Sequence, residues 1–321
     1  MHTPGGSCTH LARSRGLRGA SVVVATCVIA ALTSCSSNTA ASRPVSASDD
    51  DAVTVGSFDF AESAVVAEVY SQGLEAAGFT VQRQFRLGPR EFVGPALETG
   101  LVEFVPEYAG TAAAFYSMGT ARPSDDTAVM HAELVKAVSA DHVVALAASA
   151  AQDRNTFVVT QATASRLHLK SLSDLGAVAD QLTFGGPPEC QTRDLCVLGL
   201  KKTYHASFRD FVALDAGGAL THRALTEGLV DVAVLFTTDP EIKSEGLVEL
   251  DDDKGMQPAE SITPLVRKDL VDRLGSRFVD VIDAVSARLT TAEVRDLNGA
   301  VAAPGADVSA VATAWWAQVN A

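Results

Sequence analysis

Few reactive side chains in this 321-residue chain stand in the arrangements that covalent catalysis needs. There is no H-E-x-x-H pair, no P-loop, no G-x-S-x-G elbow and no glycine-rich dinucleotide fingerprint. The seven histidines are scattered, and GGPP at 185–188 lacks the Lys-Ser/Thr of a phosphate cradle. A hydrolase needs an activated nucleophile, and none is visible. What stands out is chemistry suited to holding a molecule. Residues 102–116 read VEFVPEYAGTAAAFY. They begin as a core strand and end in a glutamate, the Tyr108 ring, Gly110 as a turn signal and the Thr111 hydroxyl. A related pattern follows later. ALETGLVEFVPEYAGT (96–111) and ALTEGLVDVAVLFTTD (224–239) both run Ala-Leu, two polar residues, Gly-Leu-Val, an acid, an apolar strand and a polar end. The second copy closes on Thr238 and Asp239, which suit a cleft wall; Asp239 suits equally well the cap of a following turn.

The elements around these stretches alternate. Residues 53–57 form a β-rich run, and 61–77 carry Val65, Val66, Val69, Tyr70 and Leu74 at helical spacing before Gly78. A strand at 79–85, a helix at 92–99 and the strand 101–108 complete an α/β lobe with a largely parallel sheet. A helix at 128–140 follows. Two β-rich runs, 143–149 and 156–160, cross into a second lobe, with strands at 182–186 and in FVAL and VDVAVLF. Helices near 195–204 and at 219–227 lie between them. ITPLVR then returns to the first lobe. Leu270, Leu274, Phe278, Val281, Ile282, Val285 and Leu289 form one helical stripe, Thr290–Glu293 is a capping box, and Trp315 and Trp316 pack on the first lobe. In parallel sheets, ligands bind outside the carboxyl ends of strands. Two such lobes facing each other share a cleft and close on a hinge.

The first residues differ from the rest. Arg13, Arg15 and Arg18 precede an apolar run at 20–32, too short for a comfortable span, and then Leu-Thr-Ser-Cys. This describes a signal peptide over residues 1–34, and LTSC resembles a bacterial lipobox with Cys35 as the lipidated residue. An uncut N-terminal anchor is the alternative. Residues 35–52 read as a flexible tether. Without residues 1–34, 22 basic residues face 39 acidic ones, a balance of −17. That argues against nucleic acid as a partner. Of five cysteines, Cys190 and Cys196 remain. A disulfide closing a short loop is the leading reading, and two buried free thiols are the other. No metal or cofactor is implied.

The segments VGSFDFAES, LGPRE, VPEYAGT, QLTFGGPPE, RDLCVLGL, VLFTTDPEI and DDDKGMQP occur in order from about Val53 onward. In this they resemble the ABC-importer proteins that bind glycine betaine, choline and carnitine. The resemblance implies a bilobal α/β periplasmic-binding-protein fold of type II. Lobe 1 would take residues 53–150, lobe 2 residues 151–256, and residues 257–321 would return to lobe 1. It also implies a quaternary ammonium held among aromatic faces, each worth about 0.5–2 kcal/mol by cation–π attraction. Tyr108 matches a cage tyrosine and Thr111 a ligand-binding threonine. Phe157, His222 and Glu260 stand where the family has further tyrosines, and Phe58 stands at its usual lysine. Arg193 matches an arginine suited to clamp a carboxylate; a surface salt bridge to an acid is its other reading.

The function so implied is that of an exported solute-binding lipoprotein, monomeric and not an enzyme. It delivers a small ligand to an ABC permease and, through it, a cytoplasmic ATPase. The ligand belongs to the glycine betaine, choline and carnitine class, or is shifted toward a flat or apolar-bodied molecule in a pocket of Phe58, Phe157 and His222 around Tyr108. A ligand-sensing subunit of a membrane receptor is the alternative.

Overall fold

A computed structural model describes residues 52–139 and 142–320. The expected signal peptide, Cys35 and the tether as far as Asp51 lie outside the described residues. Ala52, the last tether residue, is already buried, so the packed body includes it.

The first sheet contains β1 (Val53–Gly56), β2 (Val81–Gln84), β3 (Phe104–Tyr108) and β4 (Val143–Ala145). Their helices are α1 (Ala61–Ala76), α2 (Arg90–Thr99), α3 (Ala109–Tyr116) and α4 (Thr127–Val138). The second sheet contains β5 (Asn155–Thr160), β6 (Thr183–Gly186), β7 (Asp210–Ala213), β8 (Val232–Phe236) and β9 (Leu247–Glu249). With it go α5 (Gln161–Leu167), α6 (Leu172–Gly176), α7 (Val197–Tyr204), α8 (Ala219–Thr226) and α9 (Glu241–Ser244). The chain then returns through β10 (Ile262–Arg267) and ends in α10 (Lys268–Leu274), α11 (Ser276–Ser286), α12 (Thr291–Ala302) and α13 (Val308–Val319).

The strand orders are β2-β1-β3-β10-β4 and β7-β6-β8-β5-β9. Each sheet is parallel except for one strand, β10 in the first and β5 in the second, which runs antiparallel to both neighbours. These are the strands that enter each sheet directly from a crossing segment. The two crossings pair with each other at Gln152 and Ser261. One apolar core fills the first lobe, and two smaller ones cover the faces of the second sheet.

The repeated stretches occupy matching places. β3 and β8 are each third in their order, and each follows a helix ended by a left-handed glycine, Gly100 (φ 81°) and Gly228 (φ 74°). Pro106 is tolerated inside β3 because it lies opposite Pro264 of β10, where neither residue has an N–H to lose.

Three details depart from the sequence reading. The stripe from Leu270 to Leu289 is broken at Gly275, whose φ of 73° separates α10 from α11. The apolar run at 143–149 is a strand only over its first three residues, and the remainder is crossing segment. Most relevant to the site, Gly110 is not a turn residue. β3 runs straight into α3, with Tyr108 as N-cap. Small size is what Gly110 supplies: a Cβ there would lie 2.3 Å from Pro258 Cγ and 2.9 Å from the Ala259 carbonyl.

The C-terminal helices pack on α1. Tyr70 and Ser286 hydroxyls bond at 2.8 Å, Trp316 Nε1 donates to the Val69 carbonyl, and Thr290 and Glu293 form the capping box.

Candidate functional site

The carboxyl ends of β1, β3, β6 and β8 and the amino ends of β5 and β10 converge on one cavity of about 80 Å³ between the lobes. Its apolar wall is aromatic. Phe58 and Phe60 follow β1, Tyr108 ends β3 and Phe236 ends β8. Phe60 is the centre of the group, with ring centroids 5.8 Å from Phe58, 6.0 Å from Tyr108 and 5.6 Å from Phe236. Phe58 and Tyr108 are 6.5 Å apart. Phe236 occupies the place in the second repeat that Tyr108 has in the first, so the internal repeat delivers one ring from each lobe.

A charged shell supports the lobe-1 rings. Arg90 is buried, lies 5.2 Å from the Phe58 ring centroid and donates to Glu107 at 2.9 and 2.8 Å and to Thr111 Oγ1 at 2.9 Å. Burial pulls the guanidinium pKa down, but Glu107 more than offsets this and holds it above its ordinary value. Glu260 comes close because the antiparallel register of β10 on β3, continued two residues past Ile262 and Tyr108, sets Glu260 opposite Gly110. Its carboxyl accepts the Gly110 and Thr111 N–H groups, each at 2.8 Å, and so caps α3. Burial pushes Glu260 up to about 8, against the pull of those N–H groups and Arg90.

The Tyr108 hydroxyl does not enter the cavity as a free donor. It donates to Glu62 Oε1 at 2.7 Å. Burial first, then the Glu62 charge, raises the phenol well above its usual value, so it stays protonated. Glu62 Oε2 accepts Asn298 Nδ2 at 2.5 Å and the Thr238 hydroxyl in a short bond, and Thr238 Oγ1 also lies 2.8 Å from Asp153 Oδ1. Glu62 belongs to lobe 1, Thr238 to lobe 2 and Asp153 to a crossing segment. Glu62, Asp153 and Thr238 are all buried.

The lobe-2 wall is formed by Asn155, Pro187, Leu195, Val234 and the disulfide between Cys190 and Cys196, whose Cα atoms are 5.3 Å apart. Arg193 lies at its edge. It bonds Glu91 of lobe 1 at 2.8 Å and approaches Glu189 to 3.7 Å, an ion pair that spans the cleft.

Of the residues singled out from sequence, Phe58, Tyr108, Thr111, Arg193 and Glu260 therefore line one cavity. Phe157 and His222 do not join them around Tyr108. Phe157 lies one pleat deeper than Asn155 on β5 and packs on Phe184 in the lobe-2 core, 6.1 Å between centroids. His222 sits on α8 behind the Phe60–Phe236 pair, beside a second cavity of about 310 Å³. Its Nε2 bonds Asp239 and its Nδ1 bonds Glu245, both at 2.7 Å. Burial lowers its pKa, but the two carboxylates dominate and raise it to about 9. Asp239 also accepts the Glu241 N–H, the capping role the sequence allows. Sequence reasoning missed Phe60, Phe236, Asn155 and Glu62. Phe60 stands two residues from Phe58, and Phe236 could have been found by aligning the two repeats ring to ring.

Two α/β lobes whose strand ends surround a cavity walled by both define a bilobal binding protein of type II. Comparison with known proteins gives the family. The profile of the substrate binding domain of the ABC-type glycine betaine transport system matches residues 51–318, and this chain belongs to that family of ABC-transporter substrate-binding proteins. It is 27% identical to the glycine betaine-binding protein YehZ of Escherichia coli, over 81% of this chain and 88% of that protein. It is 23% identical to the ergothioneine transport permease/ergothioneine binding protein EgtU of Helicobacter pylori, over 79% of this chain and 45% of that longer protein. A solved glycine betaine/carnitine/choline ABC transporter protein shares the fold at a TM-score of 0.65 and 21% identity, covering 84% of this chain and 98% of that one. The protein thus works by binding a small molecule for an ABC importer outside the cytoplasm, not by covalent catalysis. Among the described residues, no helix is long and apolar enough to cross a membrane.

Proposed function

We propose that the protein captures a zwitterionic quaternary amine of the betaine class. Phe58, Phe60, Tyr108 and Phe236 face the cation, and Arg193 exchanges Glu91 for the ligand carboxylate. The observation that carries this reading is the four-ring wall contributed by both lobes, with a guanidinium at the same cavity. A positive charge gains from such faces only when the lobes close, which couples binding to closure. The relatives support it: YehZ is named for glycine betaine, a trimethylammonium carboxylate.

The reading extends to the whole chain. Residues 1–34 direct export, a lipid on Cys35 holds the protein at the membrane, residues 35–51 give it reach, and it meets its permease as a monomer. Lobe 1 is made of 53–150 and 257–321, and lobe 2 of 151–256.

Titration calorimetry tests the ligand with glycine betaine against its carbon isostere 3,3-dimethylbutyrate, which keeps the carboxylate but has a neutral carbon in place of the cationic nitrogen. The betaine is expected to bind at least about tenfold tighter, the gain of two or three ring faces. Equal affinity, or no affinity for betaine, choline and carnitine alike, overturns the reading. Detergent phase partitioning tests the anchor: the wild type enters the detergent phase and Cys35→Ala stays in water.

A further inference from the structure

The buried cluster behind Tyr108 has more acceptor oxygens than hydrogens to fill them. Thr238 Oγ1 carries one hydrogen, yet it lies in bonding contact with a carboxyl oxygen on each side, Glu62 Oε2 and Asp153 Oδ1. That hydrogen serves one contact. The other requires a hydrogen from a carboxyl group. Asn298 donates to Glu62 and Tyr108 donates to its other oxygen, while the Thr238 N–H donates to Asp153 at 3.1 Å. Asn298 Nδ2 also donates to Thr238 Oγ1 at 3.1 Å and Thr237 Oγ1 to Asp153 Oδ1 at 3.4 Å, but none of these hydrogens lies between Thr238 Oγ1 and a carboxyl oxygen. Neither carboxyl has an arginine or lysine bonded to it among the described residues.

Resting on the ligand-binding reading above, we infer that Glu62 is a positioning residue for Tyr108, and that closing the lobes on a ligand takes up one proton, shared by Glu62 and Asp153 through Thr238. The geometry makes this a property of closure. Glu62 is on α1 in lobe 1 and Thr238 follows β8 in lobe 2. Parting the lobes breaks their bond and lets water reach Asp153, which removes the burial that disfavours its charged form. In the closed form two uncompensated buried carboxylates side by side do not both ionise. Burial first, and the Glu62 charge second, holds Asp153 well above the usual range.

The other groups facing the pair leave this sign unchanged. Asp153 also lines the smaller cavity, where Arg90 is paired with Glu107 and Arg193 with Glu91; Asp59, Glu189 and Glu260 are further acids that oppose its ionisation, and the zwitterionic ligand adds no net charge. Glu107, on β3, is neutralised by Arg90. Across the second cavity, Arg86, Asp59, Asp215, Asp239 and Glu241 share the lining with Glu62, and His222 there is bonded to its own two acids. Arg295 of α12 donates to the Thr237 carbonyl. The closed state therefore binds one proton more than the open state above the ordinary carboxylate range. Ligand affinity falls as pH rises, by tenfold per unit for one proton, until pH passes the closed-state value. Glu62 accepts the Tyr108 hydroxyl through Oε1, the oxygen not used by Thr238, and this bond fixes where the ring stands at the cavity.

The test is glycine betaine titration at pH 6, 7 and 8 in phosphate and in Tris, whose ionisation enthalpies differ, with wild type, Glu62→Gln, Asp153→Asn and Glu62→Ala. The expected result is uptake of about one proton and a Kd rising about tenfold per pH unit for wild type. Glu62→Gln and Asp153→Asn should each take up about one proton fewer than wild type and show a Kd that rises less steeply with pH, any remainder belonging to Glu260. Glu62→Ala, which removes the acceptor of the Tyr108 hydroxyl, should bind more weakly than Glu62→Gln at every pH. Zero uptake by wild type, uptake by the two amide variants as large as that of wild type, or equal affinity of the Ala and Gln variants would sink the inference. If glycine betaine binds none of these proteins, the ligand reading fails, and small-angle scattering of the ligand-free proteins decides the proton. Wild type should open as pH rises from 5 to 8 and Glu62→Gln should not; identical profiles overturn the inference.

Discussion

Phe60 and Phe236 stack across the cleft, ring centroids 5.6 Å apart and planes 22° from parallel, one ring from each lobe. This contact separates the smaller cavity from the larger one and gives the lobes an apolar reason to stay together. Aromatic pairs of this kind add about 0.5–1.5 kcal/mol beyond the area they bury. Replacing either ring by alanine should weaken glycine betaine binding by about tenfold, counting the lost cation face as well. The double variant should lose less than the sum of the two. A double-mutant cycle by calorimetry measures this coupling, and strict additivity would show that the two rings act separately.

Arg193 and Glu91 make a second cross-lobe contact, of a different kind. With 30% and 42% of their side chains exposed, the pair itself contributes about 0–1 kcal/mol to closure. A ligand carboxylate in place of Glu91 would meet a guanidinium already positioned. Arg193→Ala should therefore cost glycine betaine about tenfold or more in affinity, since a charged hydrogen bond is worth about 1.5–3 kcal/mol. Choline, which has no carboxylate, should change by less than about threefold. Equal losses for both ligands would assign Arg193 to lobe closure alone.

His222 makes the lobe-2 side of the cleft sensitive to alkali. Its pKa is about 9 in the folded protein and 6.5 ordinarily. A raised value means that the charged triad with Asp239 and Glu245 stabilises the fold fully below pH 6.5, and that this contribution is lost as pH rises through 9. Wild type should melt above His222→Asn at pH 6. The difference should shrink by several degrees by pH 10, at about 2–4 °C for each kcal/mol. A constant difference across that range would mean that His222 is neutral in the fold.

Gly110 is held by space and not by backbone angle. A methyl group there would strike Pro258, the Ala259 carbonyl and the Glu260 carboxyl at 2.3, 2.9 and 3.0 Å. Gly110→Ala should destabilise by about 1–3 kcal/mol in urea unfolding, the usual range for overpacking. It should also weaken ligand binding, since Tyr108 and Thr111 flank it. Unchanged stability would show that the Pro258–Glu260 segment yields easily.

Much of the fold is legible in the sequence because local elements write themselves into it. The apolar period of α1, the Thr290–Glu293 box and the glycines after α2 and α8 are short-range signals with short-range causes. The break at Gly275 was hidden by an apolar stripe that continues through it, since a face of the right period does not reveal a backbone bend. Gly110 was misread for a similar reason: glycine signals either a turn or a close approach, and only the neighbour across the sheet distinguishes the two.

By itself, the sequence determined the two alternating α/β lobes, the repeated helix–strand unit, the family, and Tyr108 as a ring at a strand end. Tertiary structure alone decided which partners that ring would have. Glu260 reaches Gly110 over 150 residues through the register of β10 on β3. Glu62 meets Thr238 over 176 residues because two lobes close on each other. Phe157 and His222 carry rings that the sequence placed around Tyr108, but strand depth buries one and two carboxylates claim the other, while Phe60 and Phe236 line the cavity. The physical reason is common to all four. Residue type is a local property, whereas the face a side chain presents depends on strand register and lobe packing, which segments far apart in the chain set jointly.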